Sequence, residues 1–318
     1  MTLNITVVSS AGIHQSADFR ISRTERDANG NWVELQPNSS KIVPLLYGKW
    51  FGFMTYCGIG LWNGKRTDEY AVAWLADRTK DLTFRDVVER IRERGSDWLG
   101  EINRGRETPF GHSFVVAGYE DGLPIYAVVS NAQSLTSLFR ILSPQLASDI
   151  RATKDLHLLI TGIPEAVSEK SRLRLRSVVR SGAAPNVVRY EMAEVNRIAS
   201  ESTESKNGIS PGCLAFSIDG SGAGHGEVYG EVPGPVMPRS VFGGFDIGKT
   251  LADVLKKIPT PIRRRYSHSL RGPQCFGQFL KDLIRRSSVK LRLAPRCSLC
   301  SKMDNVGLDQ KLRRSPRR

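Results

Sequence analysis

The order in which hydrophobic periodicity changes along this 318-residue chain predicts an α+β protein, a four-layer αββα sandwich of two antiparallel sheets flanked by helices. Three observations predict it. Leu3-Asn4-Ile5-Thr6-Val7 alternates apolar and polar with the period of a half-buried strand; Phe84, Val87, Val88 and Ile91 recur with the period of a helix; and strand-like runs return at 113–129 and beyond 213.

The elements follow in order. A hairpin opens the chain, turning at Ser9-Ser10-Ala11-Gly12 and folding Asp18 back beside Thr2. The polar run 23–40, with Asn29-Gly30-Asn31 and Pro37-Asn38-Ser39-Ser40, reads as a long surface loop. Residues 42–46 and 50–54 are short apolar runs suited to buried strands, separated by a turn at Tyr47-Gly48-Lys49. Tyr70, Ala71, Trp74 and Leu75 make one helical stripe; Phe84 to Ile91 make another, opened by the capping box Thr83-Phe84-Arg85-Asp86. Strands at 113–119 and 123–129 flank the tight turn Glu120-Asp121-Gly122. A strand at 156–160, a helix marked by Val188, Met192, Val195 and Ala199, and strands at 213–218 and 227–232 around a glycine-rich turn complete the body.

The net charge of +14 is unevenly placed. Residues 235–318 hold 20 of the 46 Lys and Arg but only 5 of the 32 acidic residues, leaving 26 basic against 27 acidic in 1–234. The chain therefore divides into a neutral body, 1–234, and a basic extension, 235–318, expected to be largely disordered or in short helices. Nucleic acid or another polyanion is expected to bind through that tail only. No apolar run reaches the roughly 18 residues needed to cross a bilayer and no signal peptide precedes the first strand, so a cytoplasmic protein without a membrane partner is expected. Five cysteines, an odd number without framework spacing, fit a reducing compartment.

Removal of Met1, general before small residues, leaves Thr2 at the amino terminus. A terminal threonine carries its own base: the hydroxyl attacks while the α-amino group, with a reference pKa of roughly 7.7–8.0, accepts the proton. Residues 2–22, closing on Ala17-Asp18-Phe19-Arg20-Ile21-Ser22, resemble without a gap the opening of proteasome β-type subunits and their bacterial relatives, the threonine peptidases of the N-terminal-nucleophile hydrolase superfamily. The resemblance extends more thinly to about residue 232. It implies the superfamily's αββα fold, amide-bond cleavage through an acyl ester on Thr2, a peptide or unfolded-protein substrate, no cofactor and no metal. It also implies a homo-oligomeric ring fed by an AAA+ unfolding ATPase.

The same resemblance assigns the remaining site residues. Lys41, in Ser40-Lys41-Ile42-Val43, matches the family's lysine; a nearby ammonium favours the ionised hydroxyl and keeps the terminal amine from holding its proton tightly. Asp18 would orient and neutralise Lys41, and Arg20 would pack and pair at that corner. Thr161-Gly162 stands where the family has a Ser-Gly pair. Ser210 matches the last motif, but the family's carboxylate there is Asn207, an amide that hydrogen-bonds without accepting a proton. The oxyanion donor falls in the stretch 56–58, ending at Gly58, which lacks the family's Ala-Gly-Gly order and does not fix which amide donates. Plainer readings stand beside these: Asp18 and Lys41 as a structural ion pair, Thr161 and Ser210 as turn and cap residues.

Two further motifs compete. Residues 243–250 satisfy the phosphate-loop pattern, but prolines and glycines precede them in place of a buried strand, so a chance match on a surface turn is the better reading. Cys297-Ser298-Leu299-Cys300 has a zinc knuckle's inner spacing without a second pair nearby. His14, His112, His157 and His225 read as structural histidines. The expected function is therefore a threonine-type peptidase or amidohydrolase; the alternatives are a catalytically inactive ring or scaffold subunit and a polyanion-binding protein.

Overall fold

Alternation carries the first hairpin into place. In the computed structural model, which describes residues 2–26, 29, 32–36, 40–48, 50–76, 81–132, 138–145, 156–231 and 238–246, strands β1 (Leu3–Val8) and β2 (Ile13–Asp18) pair antiparallel with Asn4 opposite Ala17. Each strand is buried on both faces, where the alternation of residues 3–7 predicts a half-buried first strand. Leu3, Ile5 and Val7 enter one apolar cluster, while the buried amides of Asn4 and Gln15 donate within the protein and their oxygens Oδ1 and Oε1 find no partner among the described residues. The Asn4 amide donates to the Tyr56 carbonyl at 2.7 Å, and Gln15 donates to Thr6 Oγ1 at 3.1 Å and to the Val115 carbonyl at 3.4 Å.

The polar segment expected to be a loop instead forms a second hairpin, β3 (Ile21–Arg26) and β4 (Trp32–Gln36), with two breaks in register. Its first strand lacks the apolar alternation that sequence reading relies on, and registers are weakly specified in such strands. The next two runs form β5 (Ile42–Leu46) and β6 (Trp50–Cys57), and β7 (Leu61–Trp62) and β8 (Lys65–Arg66) make a minimal hairpin ahead of helix α1 (Thr67–Leu75). Helix α2 (Phe84–Asn103) starts at the expected capping box: Thr83 Oγ1 accepts from the Asp86 amide, and the Asp86 carboxylate accepts from the Thr83 amide. Strands β9 (Ser113–Glu120) and β10 (Leu123–Ser130) turn tightly through Asp121 and Gly122, followed by β11 (Arg140–Gln145) and β12 (His157–Gly162).

Helix α3 (Glu169–Arg180) escapes sequence reading because it buries only Ser171, Leu175 and Val179, one residue per turn. Helix α4 (Pro185–Ser200) buries Val188, Met192, Val195 and Ala199 as expected. Strands β13 (Cys213–Ile218) and β14 (Gly224–Tyr229) form the last long pair, β14 starting three residues before its predicted position because Ile218 pairs directly with Gly224. Beyond residue 234, β15 (Val241–Phe242) and β16 (Phe245–Asp246) add to the edge of β5.

The chain is thus α+β. Its five-stranded sheet runs β12-β1-β2-β13-β14, and its seven-stranded sheet runs β11-β10-β9-β6-β5-β15-β16, where β15 lies parallel to β5. One apolar cluster joins α1 and α2 to the seven-stranded sheet; a second joins α3 and α4 to β1. A third brings Ile13, Ala17 and Leu214 of one sheet against Ile42, Phe53 and Tyr126 of the other. All the described residues belong to one compact unit. The phosphate-loop lysine and threonine at 249 and 250, the cysteines at 275, 297 and 300, and nearly all of the basic tail lie outside the described residues. Among the described residues no helix is long and apolar enough to cross a membrane.

His14 supplies a pH-dependent part of this stability. Its Nδ1 lies 2.7 Å from Ser217 Oγ, and burial, with the nearby Arg189 charge, pushes its pKa down to about 4. A depressed folded value means that the unfolded chain takes the proton first: the contribution is complete above about pH 6.5 and is lost as pH falls through about 4. The stability difference between wild type and His14→Gln, measured by urea unfolding, is expected to shift against wild type by roughly 3 kcal/mol between pH 6.5 and 4. A difference that stays constant over that range contradicts the account.

Candidate active site

Asp18 ends β2 and Lys41 immediately precedes β5, so the two sheets deliver one charged group each to the start of β1. Thr2, Asp18 and Lys41 are all buried, at 2%, 0% and 3% exposure. Lys41 Nζ donates to Asp18 Oδ1 at 2.7 Å and also to Thr2 Oγ1, and the Thr2 hydroxyl donates to Asp18 Oδ1. The three side chains form a closed triangle.

Main-chain donors hold the carboxylate in place. Asp18 Oδ1 accepts from the Leu3 amide at 3.0 Å, and Oδ2 accepts from the amides of Arg20 at 3.0 Å and Ser210 at 3.1 Å. These donors fix both carboxylate oxygens, and with them the direction in which Asp18 meets Lys41. Burial pushes the Lys41 pKa down; the Asp18 charge opposes that shift, and the Arg20 charge adds to it. A buried ammonium of this kind persists because its carboxylate partner touches it.

The other expected residues sit at varied distances from the chemistry. Arg20 donates to the Asn207 carbonyl, so Asn207 enters the corner through its main chain, in a left-handed conformation with φ of 59°. Ser210 Oγ accepts from the Phe19 amide at 3.0 Å and donates to the Gly212 carbonyl at 2.7 Å, fixing the loop that caps Asp18. Thr161 lies on β12 opposite Asn4, with its hydroxyl beside the Cys57 thiol. Gly162, with φ of 100°, packs against the Thr2 carbonyl where a Cβ would collide, and the following Ile163 amide donates to that carbonyl at 3.1 Å. The corner therefore contains Thr2, Asp18, Lys41 and Arg20, with Ser210 and Asn207 behind it.

A small cleft lies over Thr2, lined by Arg20, Ile21, Lys41, Tyr56, Cys57, Gly58 and Gly60, with a cavity of about 10 Å³, close to the least space a single water needs. Burial pushes the Cys57 thiol up, so it stays protonated and is no rival nucleophile. The chain leaves β6 at Gly58 with φ of 108°, where a side chain would collide with the Gly111 carbonyl and meet His112 Nδ1 at 2.9 Å. The next amide, Ile59, donates to His112 Nδ1 at 2.9 Å. Sequence reading left His112 among the structural histidines, since 53 residues separate it from Ile59 and only the β6–β9 register, with Cys57 opposite Ser113, brings them together. Among the described residues no group of three or more His, Cys, Asp or Glu is placed to hold a metal ion.

No family model matches the chain, and no curated protein matches it. Among solved structures it is similar to Anbu from Hyphomicrobium sp. strain MC1, in a Gly-1 mutant form, at 13% identity over 81% of this chain and 96% of that one, with a TM-score of 0.46. It is also similar to Anbu (ancestral beta-subunit) from Yersinia bercovieri, at 11% identity over 81% of this chain and 98% of that one, with a TM-score of 0.44. These findings correct the family assignment drawn from residues 2–22. The similar structures are Anbu proteins at 11–13% identity, and that likeness does not place the chain among the proteasome threonine peptidases.

The ion pair is testable without reference to any activity. Asp18→Asn keeps the shape but leaves the Lys41 ammonium buried without a counter-charge, and a loss of about 3–5 kcal/mol in urea unfolding is expected. Adding Lys41→Met to that variant should recover part of the loss. A single variant within about 1 kcal/mol of wild type would show that the two charges are not coupled.

Proposed function

We propose that the protein is a threonine-type amidohydrolase, acting on peptide bonds, whose nucleophile is Thr2 once Met1 is removed. The observation that carries this reading is the contact of Lys41 Nζ with both Thr2 Oγ1 and Asp18 Oδ1 inside the protein. The ammonium favours the ionised form of the hydroxyl it touches, and the carboxylate holds that ammonium and the hydroxyl in line.

The reaction follows from these groups. Thr2 Oγ1 bonds to the substrate carbonyl carbon, and its proton passes to the free α-amine of Thr2. Lys41 stabilises charge on Oγ1, while Asp18 keeps the ammonium in place. The carbonyl oxygen becomes an oxyanion facing the turn that ends β6; of the stretch 56–58, Cys57 and Gly58 stand at that end and are the candidate donors, and the Ile59 amide beyond them is engaged by His112. Collapse breaks the C–N bond, and the departing amine takes the proton from the Thr2 ammonium. Water, deprotonated by the same amine, then cleaves the acyl ester. The reading extends to a body of two facing sheets between helix layers, resting on the three apolar clusters, and to a homo-oligomeric assembly through exposed Leu173, Val187, Tyr190 and Val228.

A non-catalytic scaffold is the second reading, favoured by the 2% exposure of Thr2 and by Asn207 in place of a carboxylate. Intact mass and a threonine-directed peptidyl vinyl sulfone separate the two. The hydrolase reading expects loss of Met1, one label per chain, no label on Thr2→Ala, and labelling slowed at least about 100-fold in Lys41→Met. Retention of Met1, or equal labelling of Thr2→Ala, leaves the scaffold.

A further inference from the structure

We propose that His112 is a positioning residue for this reaction: by accepting the Ile59 amide it holds the turn at Gly58 so that the main-chain donors at Cys57 and Gly58 face the oxyanion formed on Thr2. The inference rests on the hydrolase reading. Three features of His112 support it.

The first is the direction of the hydrogen bond. Ile59 donates and Nδ1 accepts at 2.9 Å, so the neutral ring carries its proton on Nε2. Burial pushes the His112 pKa down to about 3, so the acceptor persists at any pH where the fold is studied.

The second is rigidity. The ring is packed by Phe114, Trp98, Phe139 and Tyr56, with centroids 4.7, 5.3, 6.0 and 6.1 Å away. Its amide donates to Asn131 Oδ1 at 2.7 Å, and its carbonyl accepts from the Asn131 amide and Ser130 Oγ, both at 3.2 Å. Asn131 in turn donates to the Phe110 carbonyl at 2.8 Å. An imidazole fixed on both its ring and its backbone transmits that fixity to whatever it holds.

The third is what it holds. Gly58 abuts Gly111 and His112 so closely that no side chain fits, and Gly58, Gly60 and Cys57 line the cleft with Thr2 and Lys41. Without the acceptor, the Ile59 amide is buried and unpaired, and its nearest remedy is to swing toward water in the cleft, carrying the turn with it. A displacement of about 1 Å at a reacting centre costs on the order of 100-fold in rate.

Two probes with different chemistry test this. A β-lactone acylates Thr2: the Oγ1–carbonyl bond forms through an oxyanion, the ring C–O bond breaks, and the released alkoxide takes the hydroxyl proton. A peptidyl vinyl sulfone alkylates the same oxygen: Oγ1 bonds to the terminal vinyl carbon, and the carbon next to sulfur takes the proton, with no carbonyl oxyanion. In His112→Leu the lactone rate should fall about 100-fold while the sulfone rate stays within about threefold of wild type. His112→Asn, whose Oδ1 replaces Nδ1 as acceptor, should restore most of the lactone rate. Because the ratio is read on chains that the sulfone still labels, a partly unfolded variant remains informative. Equal slowing of both probes, no slowing of either, or failure of His112→Asn to restore the lactone rate overturns the role of His112. A wild-type protein labelled by neither probe removes the hydrolase reading and this inference with it.

Discussion

The site depends on a carboxylate and an ammonium taken out of water together. Burial drives Lys41 toward its neutral form, and its contact with Asp18 at 2.7 Å opposes that. Three amides from 3, 20 and 210 converge on the same carboxylate, so widely separated parts of the chain meet at one acceptor. The hydroxyl of Thr2 joins the pair as a third member, and its direction is set by the same geometry that stabilises the charges.

Around that corner, the polar contacts and the packing use the same residues. Gly162 lets β12 approach the Thr2 carbonyl, and Ile163 ties that carbonyl down, so Thr2 is anchored through its main chain as well as its side chain. The opposite wall is a turn whose path is imposed by Gly58 and whose next amide is claimed by a neutral, aromatic-packed histidine. The result is a small cleft in which burial keeps Cys57 a protonated thiol.

Much of this was legible because it is local. Alternation in residues 3–7, the Thr83–Asp86 capping box and the Asp121-Gly122 turn each act over a few residues; the strand, the box and the turn all form, although the strand is buried on both faces. Thr2, Asp18 and Lys41 came from a motif resemblance and meet in space, although the family that suggested them does not stand. What sequence missed has physical reasons. The β3–β4 hairpin has little apolar alternation, α3 shows one buried residue per turn, and His112 reaches Ile59 only through strand register. Asn207 was read by its side chain, yet its carbonyl receives Arg20, a contact that residue type does not encode.

The amides of Asn4 and Gln15 have a consequence beyond satisfying buried groups. Interdigitated aliphatic side chains resist separation but discriminate weakly between neighbouring alignments, so a greasy interlayer tolerates creep of one layer along the other. Asn4 bonded to the Tyr56 carbonyl and Gln15 bonded to the Val115 carbonyl behave as index pins. Asn4 sets the lateral offset of β1, which starts just after Thr2, against β6, which ends at the turn facing it, and Gln15 sets that of β2 against β9, so the reach across the cleft is gauged in the interior.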